Sequence, residues 1–340
     1  MRRLRIVQIG MGHDHAYVIK DFKKMSDMFE VIGVAIPESD EAYLKKYNLY
    51  EGCEKCCEGI PRYSVEELLE LPDIDAVVIE TEELTSLKYA QMAADKGYHI
   101  QLDKPGSADH EEFKKLIETV KKNGTILHMG YMYRYNPAVM KTMKRIENGE
   151  LGQIYAVEAH MDCHHPDWKR GWLEQFPGGM MFFLGCHLVD MIYRIKGEPE
   201  EILPMNCATG IGGIKACDYG FAVFKYKDGI SFCKTCDSEP GGFMRRQLVI
   251  CGSKETVRIE PWEVLVKDGI HTEWREIPTN GTPVWSDVGT HHVSEVYDRY
   301  DYMLEAFYKM VTGEIENPYS YDYELKLHEI VLKACGVKEV

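Results

Sequence analysis

The sequence predicts an α/β chain in which a parallel sheet with crossover helices is followed by an α+β domain with an open, mostly antiparallel sheet. Three observations lead there. The length of 340 residues suits two domains of about 100–200 residues each, which we place at 1–130 and 131–340. Through about residue 130, apolar runs of strand length alternate with stretches of helical spacing, the pattern of βαβ units. From about residue 151 the texture changes to short alternating strands separated by turn residues.

In chain order, the first-domain strands are LRIVQIG from Leu4, FEVIGVAI from Phe29, DAVVIET from Asp75, YHIQLD from Tyr98 and TILHMGY from Thr125. Between them, Ala42–Tyr47, Ser64–Leu71, Thr85–Lys96 and His110–Lys122 carry apolar residues three and four apart, one face of a helix. Ser64 followed by Glu67 is a capping-box start. IYAVEAHMD, YGFAVFKY, ISFCKTC, RQLVICG and ETVRIE read as the second-domain strands, interrupted by a helix near Met180–Lys196. Helical periodicity returns from about His292 to Gly336, a segment expected to pack back on one of the domains.

Composition excludes several classes. With 45% hydrophobic and 28% charged residues the chain is of ordinary globular type, and no run approaches the roughly 18 apolar residues of a membrane span. The 55 acidic against 40 basic residues give a net charge of −15, whose field repels nucleic acid and anionic lipid. The start MRRLRIVQIG reads as a strand, because its apolar run is too short for a signal peptide. Eleven cysteines, three of them crowded at Cys53, Cys56 and Cys57, are expected as reduced thiols in a cytoplasm. The CxxCC cluster has no second pair to complete a zinc site and reads as free loop thiols.

Chemistry first shows at GMGHDH, Gly10–His15. A strand, a glycine-rich turn and a helix start form the context of a dinucleotide pyrophosphate site, although His15 replaces the third glycine. Gly10 makes the turn, Gly12 admits a close approach, and the amides near Met11, His13 and Asp14 face the phosphates at the positive helix end; an ordinary strand-to-helix turn is the competing reading. The second strand ends in Ile36-Pro37-Glu38, with no Arg or Lys before Lys45. A carboxylate there and no cation for a 2′-phosphate favour NAD over NADP, unless Glu38 is a solvated loop residue.

From Asp103-Lys104-Pro105 the chain resembles the Gfo/Idh/MocA oxidoreductases, the glucose-fructose oxidoreductase and inositol dehydrogenase type, whose Glu-Lys-Pro appears here as Asp-Lys-Pro. VVIETEELTSLKYAQMAADKGYHIQLDKP leads into that motif without a gap, and GYMYRYNPAV at Gly130 and GGMMFFLGCHLVDMI at Gly178 match two further family segments. The resemblance implies a Rossmann-type NAD-binding domain, with Thr81, Glu82, Ser86 and Asp103 among the cofactor contacts and the active site between the two domains. It implies that Lys104 stabilises alkoxide charge beside the nicotinamide and that His187 exchanges the hydroxyl proton. The family carboxylate four residues before that histidine is Phe183 here. Asp190, three residues after His187, either orients its ring or supports the helix.

Strand alternation would put Met132 and Arg134 on one face, making Arg134 a substrate or cofactor contact or else an ion-pair partner. The segment HMDCHHPDWKRGW suits the wall of a sugar pocket, with Asp162 bonding hydroxyls and Trp172 stacking on a ring. His160, Asp162 and His164 alternate onto one face of an extended strand, but the resemblance demands no metal and none is assigned. The expected reaction is NAD-dependent interconversion of a secondary alcohol and a ketone on a sugar, glycoside or polyol such as an inositol. A glycosidase using transient oxidation by tightly bound NAD and a non-catalytic NAD- or sugar-binding regulator are the alternatives. By resemblance the chain is expected to form a homodimer or homotetramer.

Overall fold

The computed structural model describes residues 2–279, 289–338 and 340. The chain divides into two compact units, one running to Tyr131 and joined by Tyr300–Leu325, the other comprising Met132–Arg299 and Lys326–Val340.

In the first unit, β1 (Leu4–Ile9), β2 (Phe29–Ala35), β3 (Ala76–Ile79), β4 (His99–Leu102) and β5 (Leu127–Met129) form an all-parallel sheet in the order β2-β1-β3-β4-β5. The central β3, Ala-Val-Val-Ile, is buried on both faces, which explains its unbroken apolar run. Helices start and stop where side chains satisfy their end groups. Ser64 and Glu67 form the expected reciprocal cap before Val65–Leu68. Asp109 accepts from Glu112 N at the start of His110–Asn123, and Gly124 closes that helix in the left-handed conformation. The helix after β2 spans Glu38–Lys46, four residues earlier than its apolar spacing suggests. Cys53, Cys56 and Cys57 lie on and at the end of a helix, Tyr50–Cys56, and are buried, not in a loop. All eleven cysteines are free.

The second unit is built on β6 (Ile154–His160), β7 (Glu201–Pro204), β8 (Tyr219–Tyr226), β9 (Gly229–Cys236), β10 (Gln247–Gly252), β11 (Glu255–Ile259), β12 (Val264–Val266), β13 (Gly269–His271), β14 (Glu273–Pro278) and β15 (Thr290–Val293). Eight of them make one sheet in the order β15-β14-β11-β10-β6-β9-β8-β7, antiparallel except for β6 beside β9, while β12 and β13 pair separately. Along β8 buried residues alternate with partly exposed ones, as in a sheet with one covered face. His292 belongs to β15 and not to the closing helical segment, because its neighbours pair with β14. The helices there are Asp301–Val311 and Tyr321–Ala334. Tyr308 Oη donates to Arg2 O at 2.9 Å and Leu127 N donates to Tyr321 Oη at 3.2 Å, ties that place residues 300–325 in the first unit.

Met132–Tyr135 is a 3₁₀ turn and not a strand, so the alternation argument for Arg134 does not apply. Its guanidinium instead makes a two-point bond to Asp190, Nε to Oδ2 at 2.9 Å and Nη2 to Oδ1 at 2.8 Å, with both side chains fully buried. The pair fastens this turn to the helix Cys186–Lys196, which carries His187. Removing one partner of a buried pair strands a charge and costs about 3–5 kcal/mol. Asp190→Ala should therefore lose that much in denaturant unfolding, whereas Arg134→Met with Asp190→Leu should recover most of it.

Candidate active site

The glycine turn after β1 has the geometry of an anion site. Gly10 sits at φ +95°, and a Cβ on it would stand 2.4 Å from Thr81 N, so only glycine fits. Met11 N and Gly12 N donate, at 2.9 and 2.8 Å, to the carboxylate of Asp40, and Glu82 N reaches its other oxygen at 3.4 Å. The close approach expected at Gly12 is made to Asp40, whose Cγ would lie 2.9 Å from an added Cβ. His13 N donates to Glu80 O at 3.0 Å, so it does not face outward, while Asp14 is exposed at the end of the turn. Asp40 is fully buried. Burial raises its carboxyl to about 6, against the three amides that favour the anion, and Glu82 adds to the rise.

Behind the turn, His13, Glu80, Glu83, Asp103 and Lys104 are all buried. His13 Nδ1 lies 3.6 Å from Glu80 Oε2 and 3.5 Å from Asp103 Oδ2, its Nε2 lies 3.4 Å from Glu83 Oε1, and His15 Nδ1 stands 3.0 Å from Asp103 Oδ2. Burial lowers His13 to about 3, so the ring is neutral at pH 7. Burial, then Asp103, pushes Glu80 well above the carboxylate range. Burial would also raise Asp103, but His13, His15 and Lys104 outweigh it and hold it low. Asp103 thus stays a firm carboxylate next to Lys104 in sequence, while Glu80 is driven to give up its charge. Asp103 Oδ1 also takes Lys104 N at 2.6 Å, and Lys104-Pro105 is cis. Ser86 Oγ donates to Gly106 O at 3.1 Å, tying the following turn to the helix Ser86–Asp95.

Ile36 and Glu38 line a cleft of about 550 Å³ with Ser64, Lys88 and Tyr89. Lys88 is the cation that local reading of the β2 end missed, because it comes from the helix Ser86–Asp95. A carboxylate and an ammonium therefore share this cleft, and the argument for NAD from a lack of cations does not hold.

In the second unit, His187 is buried and its ring meets Tyr133 edge-on at 5.0 Å. Tyr133 Oη donates to Glu263 Oε2 at 2.8 Å and accepts from Arg246 Nη1 at 3.0 Å. Burial, then Glu263, pushes its hydroxyl well up, so it stays a proton donor. Phe183 lies in a π-helical turn, Met181–Gly185, directly before the His187 helix, a form frequent at functional sites. Its ring packs edge-on against Trp172 at 5.4 Å, and Lys169 Nζ stands 3.7 Å from the Trp172 ring centre and 4.9 Å from that of Phe183. The Trp172 face expected to stack on a sugar is thus covered by an ammonium. Asp162 is buried and ion-paired to Lys234 at 3.1 Å. His160 Nδ1 bonds Gln247 Nε2 at 3.0 Å, and His164 is exposed, so His160, Asp162 and His164 do not gather.

Residues 4–131 match the model for the oxidoreductase family with an NAD-binding Rossmann fold, and residues 139–258 match the GFO/IDH/MocA C-terminal domain. The chain belongs to the Gfo/Idh/MocA oxidoreductase family. It is 39% identical over 97 residues to scyllo-inositol 2-dehydrogenase (NAD(+)) of Bacillus subtilis, which is 28% of each chain. It is 22% identical over 142 residues to the NADP(+) scyllo-inositol 2-dehydrogenase of the same species, 41% of this chain and 40% of that one. These sequence matches span less than half of the relatives' length. The aldose-aldose oxidoreductase of Caulobacter crescentus, solved with glycerol, shares the fold at a TM-score of 0.75 and 18% identity over 99% of this chain and 97% of that one.

In this Gfo/Idh/MocA chain, Asp40 at the glycine turn and Lys88 in the β2-end cleft are marked by no local sequence pattern. Asp40 was legible only if the helix was started at Glu38. Because its folded carboxyl titrates near 6 and not near 3.8, the folded state holds the proton longer than the unfolded one. Stability falls as pH rises from about 4 to 6, by at most about 3 kcal/mol. Asp40→Asn should flatten that part of a pH–stability profile measured by denaturant unfolding; an unchanged slope would assign it to other groups.

Proposed function

We propose that the protein is an NAD-dependent oxidoreductase that interconverts a secondary alcohol and a ketone on a sugar, glycoside or polyol of the inositol type. The observation that supports the reading is Lys104, buried directly after Asp103 past the end of β4 and one of the charges that hold Asp103 ionised, in a parallel unit whose glycine turn already holds an oxyanion. The turn fits a dinucleotide, since the Met11 and Gly12 amides grip a carboxylate now and the same donors suit a pyrophosphate. When bound, the dinucleotide supplies the hydride acceptor.

In this reading the chain's own groups do the rest. Lys104 stabilises negative charge on the substrate oxygen. His187 exchanges the hydroxyl proton, its ring set by Tyr133 and its helix by the Arg134–Asp190 pair. Glu38 and Lys88 line the cleft at the β2 end; the carboxylate suits ribose hydroxyls and the ammonium a 2′-phosphate. NAD is the proposed partner, and Lys88 is the group to remove if NADP is turned over. Function in the cytoplasm as a homodimer or homotetramer belongs to the same proposal.

One observation favours a second reading. Phe183 stands where the family carries a carboxylate, and Lys169 fills the adjoining aromatic faces, so the fold could serve as a non-catalytic dinucleotide or sugar sensor. A screen of sugars, glycosides and inositols with NAD and NADP, followed by absorbance of the reduced nicotinamide, decides. Turnover of any polyol supports the enzyme, whereas dinucleotide binding without turnover across the panel supports the sensor.

With a substrate in hand, Lys104→Ala should lower turnover roughly 10²–10³-fold and His187→Ala roughly 10²-fold, with far smaller changes in dinucleotide affinity. Near-full activity of His187→Ala at all pH values would remove its assigned role.

A further inference from the structure

Past His160 the chain stays extended beside the end of β9. Met161 N donates to Lys234 O at 3.0 Å, Cys163 N to Cys236 O at 2.8 Å and His165 N to Asp237 O at 3.0 Å. Residues two apart on an extended strand share a face, so Cys163 and His165 stand together with Asp237, the residue that follows β9. Cys163 Sγ lies 3.6 Å from His165 Nδ1 and 3.0 Å from Asp237 Oδ1, and His165 Nδ1 lies 2.5 Å from that same oxygen. We propose that Cys163, His165 and Asp237 form a divalent-cation site of zinc type, with water in the fourth position.

The donor set is one thiol, one imidazole and one carboxylate, which matches zinc rather than magnesium or calcium. Donors bound to one tetrahedral zinc at about 2.0–2.3 Å stand roughly 3.3–3.7 Å apart. The cysteine–histidine separation meets that span, and a small rotation of the Asp237 carboxylate opens the other two edges. An independent observation points the same way: Asp237 is fully buried, and its Oδ2 has no hydrogen-bond partner among the described residues, an arrangement that is costly without a cation. The Asp237 backbone is fixed by its N–H to Asp218 O at 2.8 Å. His165 is about one-third exposed, at 32% of its side chain, and offers the cation a way in. The neighbouring Asp162 is already neutralised by Lys234, so the site's own charge balances the ion.

Binding balances simply. The Cys163 thiol, held protonated by burial and then by Asp237, loses its proton to solvent as the S–metal bond forms. The thiolate and the Asp237 carboxylate together offset the two positive charges. His13, His15 and Asp103 also lie close together, but Lys104 stands beside them and they belong to the site already described.

Tag-free protein loaded with zinc and freed of excess metal by gel filtration should retain one zinc per chain by elemental analysis, released with uptake of about one proton per metal. Cobalt loading should give tetrahedral d–d bands with a thiolate-to-cobalt charge-transfer band. Cys163→Ser should abolish that band and weaken zinc binding by more than the roughly 10–100-fold that outer-shell changes cost. Asp237→Asn should weaken it likewise, whereas His164→Ala should change nothing. Wild-type protein that holds no stoichiometric zinc, or a cobalt spectrum without the charge-transfer band, overturns the site without recourse to any variant. So does metal that persists in folded Cys163→Ser.

Discussion

A parallel strand that runs into a glycine turn leaves backbone N–H groups pointing the same way, and buried ones must find an acceptor. Here the Met11 and Gly12 amides find Asp40, and the Glu82 amide adds a third, longer bond. That contact fixes the turn to the first helix after β2 and to the segment after β3. The three elements that would frame a dinucleotide are therefore knitted by one internal carboxylate. Its cost is visible in the raised titration of Asp40, so the turn is held by an anion that burial disfavours.

Deeper in the same unit, three carboxyl groups, one neutral imidazole and one ammonium are packed out of water. Such a set is tolerable only if most members discharge. Glu80 is driven toward its protonated form and His13 toward its neutral form, while Asp103 is held ionised, in part by Lys104. The motif lysine thus has Asp103 as a firm counter-charge in surroundings of low polarity, where such a pair interacts strongly.

Much of this was legible in the sequence, and the rest failed for identifiable reasons. The first sheet's strands and β6, β8, β9, β10 and β11 of the second declare themselves by apolar runs as in β3 or by alternation as in β8, whereas β7, β14 and β15 are short or strongly polar segments that neither signal marks; Lys104 sits in a motif with a strand leading into it. Asp40 is hidden because apolar spacing sees a helix only from its first apolar residue, Ala42, while the helix begins in an acidic first turn at Glu38. Lys88 was hidden because a cleft is lined by elements distant in sequence. Arg134 lies on a 3₁₀ turn that residue alternation cannot distinguish from a strand. In HMDCHH the even-numbered side chains looked like the set that gathers, yet Asp237, which follows β9, meets the odd-numbered Cys163 and His165. No local pattern encodes that partner.

The proposed function requires the Met11 and Gly12 amides to exchange the Asp40 carboxylate for the dinucleotide, with Glu82 as the ionisable neighbour of that carboxylate. Calorimetric titration of NAD into the wild-type protein and into Asp40→Asn, at pH 5.5 and 7.5, tests it most directly. Asp40→Asn is expected to bind NAD more tightly than wild type at pH 7.5, with the gap narrowing at pH 5.5, where the carboxyl near 6 carries its proton most of the time. No NAD binding by either protein, or tighter binding by wild type at both pH values, would contradict it.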